Sequence, residues 1–414
     1  MLGALLITDI HFIRPRTPVY DIDVELRNGV LRYVPTLLKA LPDISLILVG
    51  GDVAYEARDN QYAAAAAFLR DLQARLGGAR ILVIPGNHDV DRDLTDTPDH
   101  RGWRSAPRKS GLDDDQRDRV FIDLLANGQS GPGLVAALRA YNQFASAYGC
   151  TVSEAEPFWH VRLPLSDRYE LHLRGLTSVL ISDRHDDKEV NRLLLGDVQV
   201  ADLEPAPGVV NVTLCHHPYT WLYDGERQRR RLRRRSALHV TGHEHCHDVL
   251  PDGDTASVHL CAGALQPKRS DVWDPRLYGI KLDVSERRGK ASARFTIMSA
   301  RWDRDADSFV EDSTGEYEVP VQPAPAVPPS PPIAADPTAA VALLVEHLSE
   351  LAPADRLTVA AEIGGDVSSL SAAPEHELPA RVVADASARG VLAELWRQAA
   401  RYRGGLGAEE NPFA

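Results

Sequence analysis

Cysteine is scarce: Cys150, Cys215, Cys246 and Cys261 are the only four in 414 residues, far apart and without a C-x-x-C pair. In a chain of this size that spacing argues against a disulfide framework and leaves reduced thiols as the expectation. Long apolar runs are missing too. The opening "MLGALLITDI" is apolar for only about seven residues before Asp9 and has no basic leader, too short for a signal peptide or a membrane span. A cytoplasmic protein without a membrane partner is therefore expected. Nor is there an excess of positive charge: the formal net charge is -13. A chain that coats nucleic acid or anionic lipid through bulk charge is argued against, although a local basic patch remains open.

What is present is an ordinary globular composition, 44% hydrophobic and 25% charged. The length suits one large domain plus a small one, or two of moderate size. "GALLIT", "ISLILVG" (44–50) and "RILVIPG" (80–86) are continuous apolar runs bounded by Gly, Pro and Asp. Such runs suit strands buried on both faces. Helical patterns at about 27–41 and 59–76 separate them, so β-α-β-α-β with parallel strands is predicted. Residues 91–130 break the pattern as a polar, aperiodic insertion, with a helix expected at about 132–148. Strand-like runs resume at 170–182, 209–217, 237–243, 257–263, 277–284 and 293–302, with few helices between, which suggests a second sheet or half with antiparallel pairs.

Residues 318–337 are rich in Pro and Ala and cannot hold a helix or a central strand. Asp336 and Pro337 then suit a helix start, followed by Val341, Leu344, Val345 and Leu348 at helical spacing. Further helices are expected at about 354–363, 378–389 and 391–403. The predicted organisation is a catalytic domain over 1–312, a linker over 313–336, an all-α unit over 337–404 and a flexible tail over 405–414.

Chemistry gathers at the strand ends. The first run ends in "TDIH" (Asp9, His11), the second in "GGDV" (Asp52), the third in "GNHD" (Asn87, His88, Asp89). Later runs add His216 and His217 in "CHHP", then His243 and His245 in "GHEH". Carboxyl ends of parallel strands are where α/β sheets place their binding crevices. Polar groups stacked at the ends of core strands need partners, and imidazole, carboxylate and amide oxygen together suit divalent Mn, Fe or Zn. No cysteine occupies these motif positions, which argues against a structural thiolate site.

The order D-x-H, G-D, G-N-H-D, H-x-P, G-H-x-H over roughly residues 1–300 resembles the calcineurin-like metallophosphoesterase superfamily. The resemblance implies a four-layered αββα sandwich with mixed sheets and a centre of two divalent metal ions. One ion falls to Asp9, His11 and His245, the other to Asn87, His216 and His243, with Asp52 bridging. Two such ions about 3.5–4 Å apart lower the pKa of a bridging water and clamp the oxygens of an in-line displacement. Against four positive charges, Asp9 and Asp52 return two, so the site attracts phosphate. The family pattern makes His88 the group that stabilises or protonates the leaving oxygen, oriented by Asp89. A phosphodiester such as nucleic acid or a cyclic nucleotide is the favoured substrate. A phosphoprotein, a small phosphomonoester, or a metal-bearing ligand sensor without turnover are the alternatives. His217 and His247 are candidates for substrate contact, with packing or surface roles as the other reading.

The segment 226–237 holds seven arginines. A soluble helix whose cationic end complements its dipole is one reading. A grip on a second phosphate or a nucleic-acid backbone, with Arg230 and Arg234 as contacts, is the other. After the linker, "ELPARVVADASARGVLAELWRQAARYRG" resembles the small effector-associated or death-like adaptor domains of bacterial conflict systems. That resemblance implies a protein partner bound through 337–404.

Overall fold

The computed structural model describes residues 1–13, 24–186, 190–252, 257–265, 274–325 and 337–402. Residues 326–336 of the expected linker and the expected tail lie outside these. The chain divides into two compact units, Met1–Ala324 and Pro325–Ala414.

The first unit begins β1 (Leu2–Ile7), α1 (Val24–Ala40), β2 (Ile44–Val49), α2 (Asp59–Arg75), β3 (Arg80–Val83). The three strands pair in parallel, as the buried apolar runs predict. Each helix buries one stripe: Leu26, Val30, Val34 and Leu37 on α1, then Tyr62, Ala65, Phe68, Leu69 and Leu72 on α2. That 3.6-residue spacing is what lays a crossover helix back on its sheet.

The stretch expected to be an aperiodic insertion is helical. It folds as α3 (Arg92–Thr95), α4 (Pro98–Ser105) and α5 (Asp114–Ala126), and the helix expected at about 132–148 is present as two, α6 (Ser130–Ala136) and α7 (Arg139–Ala145). Its acidic residues are helix starts: the Asp91 carboxylate accepts from the Asp93 and Leu94 N–H groups, and Asp113 from that of Gln116. Arg104 and Arg108 pin the insertion to the chain near Ser182, Asp183 and Asp186.

The second sheet takes β4 (Phe158–Pro164), β5 (Glu170–Leu176), β6 (Val209–Leu214), β7 (Leu238–Thr241), β8 (Asp248–Asp252) and β9 (Ser257–Cys261), with α8 (Gly225–Arg235) between β6 and β7. Then β10 (Arg276–Arg287), β11 (Lys290–Asp303) and β12 (Ser308–Val321) return to the first sheet. The orders are β12-β11-β10-β1-β2-β3 and β4-β5-β6-β7-β9-β8, each mixing parallel and antiparallel pairs. One core joins the inner faces, from Leu5 and Ile47 to Leu214 and Val240, so the two sheets with their flanking helices form the expected α/β sandwich. Positions 313–321, expected as the start of the linker, belong to β12. Its Pro320 is tolerated because β12 is an edge strand.

The second unit contains α9 (Pro337–Ser349), α10 (Pro353–Glu362), α11 (Val367–Ser371), α12 (Leu378–Ala388) and α13 (Leu392–Tyr402). They close on a separate core of Leu344, Leu348, Val359, Val382, Leu395 and the fully buried Trp396. The short α11 had no sequence expectation. Among the described residues no helix is long and apolar enough to cross a membrane.

Candidate metal centre

The loops leaving β1 and β2 run side by side. Asp9 N–H donates to the Gly51 carbonyl at 3.0 Å and His11 N–H to that of Asp52 at 2.9 Å. Within the second sheet, Gly242 N–H after β7 reaches the His216 carbonyl after β6 at 2.9 Å, and across the two sheets Leu265 N–H reaches the Thr8 carbonyl at 2.8 Å. Backbone bonds between the loops therefore bring the strand-end motifs together before any side chain is considered.

The two carboxylates are held so that one oxygen of each is free. Thr8 Oγ1 donates to Asp9 Oδ2 at 2.7 Å and His243 N–H to the same oxygen at 3.2 Å, while His88 N–H donates to Asp52 Oδ1 at 2.8 Å. The other oxygens face imidazoles: Asp9 Oδ1 lies 3.3 Å from His245 Nε2, and Asp52 Oδ2 lies 3.4 Å from His216 Nε2 and 3.6 Å from His11 Nε2. His216 Nδ1–H donates to the Gly50 carbonyl at 2.9 Å, which turns Nε2 toward the carboxylates. The His243 ring centroid is 5.3 Å from that of His216, and the His11 centroid 5.8 Å from that of His245.

This donor set fits divalent metal ions. Asp9 Oδ1 and His216 Nε2 are buried without a hydrogen-bond partner, a costly arrangement unless something electropositive fills it. Metal-capable atoms within 4.8 Å of one another form groups such as Asp9, His11 and His245, or Asp9, Asp52 and His216. Backbone strain concentrates here as well. Asp9, His11, Asp52, His243 and His245 all have φ between 49° and 68°, a left-handed conformation that non-glycine residues adopt only when the surroundings impose it.

Burial acts on each imidazole. It pushes His11 down to about 4 and His243 to about 3, leaving both neutral and able to ligate. Burial also opposes charge on His216, but the Asp52 and Asp9 carboxylates outweigh it and hold His216 up at about 10. The metal-free cluster thus carries an imidazolium between two carboxylates.

Asn87 sits beside this cluster, buried in the short turn that starts at Gly86. His88 is half-buried, its ring 4.7 Å from His11 and stacked at 5.0 Å on Tyr55, with Nδ1 2.8 Å from the Tyr55 carbonyl. A carbonyl only accepts, so Nδ1 carries the proton and Nε2 is the atom left to exchange one. Asp89 differs from expectation. Its carboxylate accepts from the N–H groups of Val53, Ala54 and Gly86 and from the Tyr62 hydroxyl, at 2.8 to 3.1 Å. Four donors fill its acceptor positions, so it ties the β2 loop to the β3 loop, and the Tyr55 carbonyl orients His88 instead.

The other expected substrate contacts fare differently. His217 is fully buried, with Nδ1 2.8 Å from Ser178 Oγ and its ring 4.3 Å from His243, and it forms a further group of metal-capable side chains with His216 and His243. His247 packs its half-buried ring 5.5 Å from Tyr278. Four arginines of α8 are committed to carboxylates: Arg227 to Asp115 and Asp197, Arg229 to Glu226, Arg231 to Asp197, and Arg235 to Glu204. Arg230 and Arg234 are exposed, on the side of α8 opposite the buried Gln228 and Leu232, and point outward from the sheet. Tyr55 and Trp221, whose ring lies 4.2 Å from His243, carried no sequence signal because neither belongs to a motif.

The sequence family described as calcineurin-like phosphoesterase matches residues 4–247, more than half of the chain. The chain belongs to this family. The chemistry that defines it is metal-dependent hydrolysis of phosphate esters, and the donor set of this phosphoesterase is in keeping with that. A comparison with curated protein sequences finds no match. Among solved structures, a dimetal phosphatase from Danio rerio is similar at 11% identity and a TM-score of 0.41, covering 78% of this chain and 99% of that one. Vps29 from Chaetomium thermophilum is similar at 10% identity and a TM-score of 0.32, covering 79% and 100%. Similarity at this level says nothing about substrate.

Proposed function

We propose that this phosphoesterase hydrolyses a phosphodiester, such as nucleic acid or a cyclic nucleotide, at a centre of two divalent ions. Asp9, His11 and His245 would hold one ion and Asn87, His216 and His243 the other, with Asp52 between them. The observation that carries the reading is the pair of free oxygens, Asp9 Oδ1 and Asp52 Oδ2, each turned onto imidazole nitrogens while its partner oxygen is hydrogen-bonded elsewhere. Bound ions supply Lewis acidity and a water acidic enough to be a nucleophile near neutral pH. The chain's own residues do the rest. Thr8 and the His88 N–H hold the two carboxylates in place, and His88, its Nδ1 proton held on the Tyr55 carbonyl, gives the second proton of its imidazolium form from Nε2 to the leaving oxygen and returns to the neutral ring.

Metal analysis with a turnover screen over diesters, monoesters, cyclic nucleotides and single-stranded nucleic acid tests this. Bound metal without turnover in any class would make the chain a metal-bearing scaffold. The role of His88 has its own signature. His88→Ala should slow an alkyl phosphate ester about a hundredfold, within the usual range for a lost general acid, and slow p-nitrophenyl esters far less because nitrophenolate leaves unprotonated. Equal losses on both would remove the acid role.

Metal uptake is also expected to be linked to pH. His216 keeps its proton below about 10 in the metal-free protein, so a bound ion must displace it. About one proton is released at pH 7, and affinity falls as pH falls because protons compete for the same nitrogen. Calorimetric titration of metal in buffers of different ionisation enthalpy reads the count; release of none contradicts it.

The C-terminal helices are proposed to recruit a protein partner. Their own core supports an independent unit, and no group of metal-capable side chains lies among their described residues.

A further inference from the structure

Behind the metal-bearing loop lies a cleft of about 490 Å³ that the proposed chemistry does not use, formed between α8 and the β8–β9 hairpin. Its volume is that of a small-molecule site. The loop after β7 separates the two places. His243 and His245 belong to the carboxylate cluster, whereas Glu244 and Cys246, alternating with them, line the cleft.

Half of the lining residues are aliphatic or aromatic, and three rings stand together among them. Tyr219 stacks on His239 at 5.0 Å, and His259 lies 5.2 Å from each of them. Arg229 and Arg233, one helical turn apart, stand on the α8 wall, opposite Glu244 and Asp248.

His239 holds the informative atom. It is 3% exposed, and its Nε2 has no hydrogen-bond partner. Its protonation can be worked out from neighbours. Ser236 Oγ has one proton, and the atoms at 2.7 Å and 3.4 Å that only accept are the Leu238 and Asn211 carbonyls. Thr213 Oγ1, 3.0 Å from Ser236 Oγ, must therefore donate to it and can only accept from His239 Nδ1 at 2.8 Å. Nδ1 carries the proton and Nε2 carries a lone pair. Burial disfavours the charged ring, consistent with that neutral tautomer. A covered acceptor without a donor is costly, and what it lacks is an N–H or O–H supplied from the cleft.

We propose that this cleft binds a planar nitrogen heterocycle bearing an N–H donor, of the nucleobase type, whose ring packs against Tyr219 and His259 and whose N–H meets the edge of the His239 ring at Nε2. Such a ligand touches the wall that also holds the metal loop. Glu244 Oε1 accepts from Trp221 Nε1 at 2.9 Å, and the Trp221 ring packs edge-on against His243, so a shift of Glu244 reaches a metal-ligand candidate through one side chain.

Calorimetric titration of the full chain with adenosine, guanosine, cytidine and uridine tests the site without needing turnover, so its outcome is separate from that of the phosphoesterase reading. Saturable binding of at least one nucleoside is expected. Leu250→Trp, a half-exposed position on β8 at the cleft, should weaken it tenfold or more by filling the space. His239→Phe keeps a ring for Tyr219 and removes the acceptor, and should also weaken binding about tenfold. No saturable heat with any of the four, or binding indifferent to Leu250→Trp, overturns the proposal. Turnover of bis-p-nitrophenyl phosphate then separates the two sources of such a heterocycle. A raised KM marks the base of a substrate, and a changed kcat marks a free effector; both support the site.

Discussion

Asp52→Asn is expected to lower turnover of bis-p-nitrophenyl phosphate by at least about a thousandfold, more than a single lost electrostatic contact usually costs, because in the proposed two-ion centre both ions would lose a ligand together. The substitution is nearly isosteric, so the argument is electronic. Asp52 uses Oδ1 to accept from the His88 N–H at 2.8 Å and presents Oδ2 to His216 and His11 at 3.4 and 3.6 Å. An amide has one oxygen for those two tasks. If that oxygen stays with His88, an NH2 group faces the place a cation must occupy; if it turns inward, the His88 N–H and the NH2 group confront each other. Either way a negative charge is lost from a pair that holds the His216 imidazolium in the metal-free state. Metal content measured on the folded variant should fall with activity. Unchanged turnover with normal metal content would show that Asp52 is not the shared ligand and would remove the two-ion reading with it.

How much of this was legible in the chain depends on where each element lies in its sheet. β1, β2 and β6 are buried on both faces, so their sequences are unbroken apolar runs. The strands without a sequence expectation are β4, β8 and β12, and each is the edge of a sheet. An edge strand can be polar on one face: "SFVEDSTGEYEVPV" reads as loop until β11 supplies its partner. The helical insertion was hidden for a related reason. Its caps and acidic first turns look like disorder unless the apolar positions they frame, such as Phe121 and Leu125, are known to have a surface to cover. At the site, residue type and strand-end position identified the cluster, because metal chemistry restricts both. They did not show that Asp89, expected to orient His88, faces the backbone of the neighbouring loop instead. The α8 arginines are a similar case. Their carboxylate partners Asp115, Asp197 and Glu204 come from distant segments, and only the fold shows that most of that charge is already neutralised.

Gly86→Ala is expected to abolish metal binding and activity while leaving the sandwich folded. A Cβ at position 86 would stand 2.1 Å from Asp52 Oδ1 and 2.4 Å from the Asp52 backbone nitrogen. Rotating the Asp52 side chain clears the first clash but not the second, so the β3 loop must move away from the β2 loop. That loop carries Asn87 and His88, and Gly86 N–H is one of the four donors to Asp89 at 2.9 Å, so the clamp between the loops opens as the donors separate. The glycine of "GHEH" is under the same constraint: a Cβ at Gly242 would lie 2.5 Å from Thr8 Oγ1 and 2.8 Å from Asp9 Oδ2. These motif glycines exist because one loop's backbone lies against another loop's carboxylate. Overpacking of this kind costs about 1–3 kcal/mol, which a domain of this size survives, whereas displacement of Asn87 and His88 separates donors that must converge on one centre. Gly102→Ala is the control, since nothing lies within 4 Å of its Cβ and it sits inside α4, where alanine gains about 0.5–1 kcal/mol. Far-UV circular dichroism and metal stoichiometry on the two variants separate the effects: both should keep their secondary structure, and only Gly86→Ala should lose metal. Retention of full metal occupancy by Gly86→Ala would mean that the approach of the β2 and β3 loops does not set the geometry of the centre.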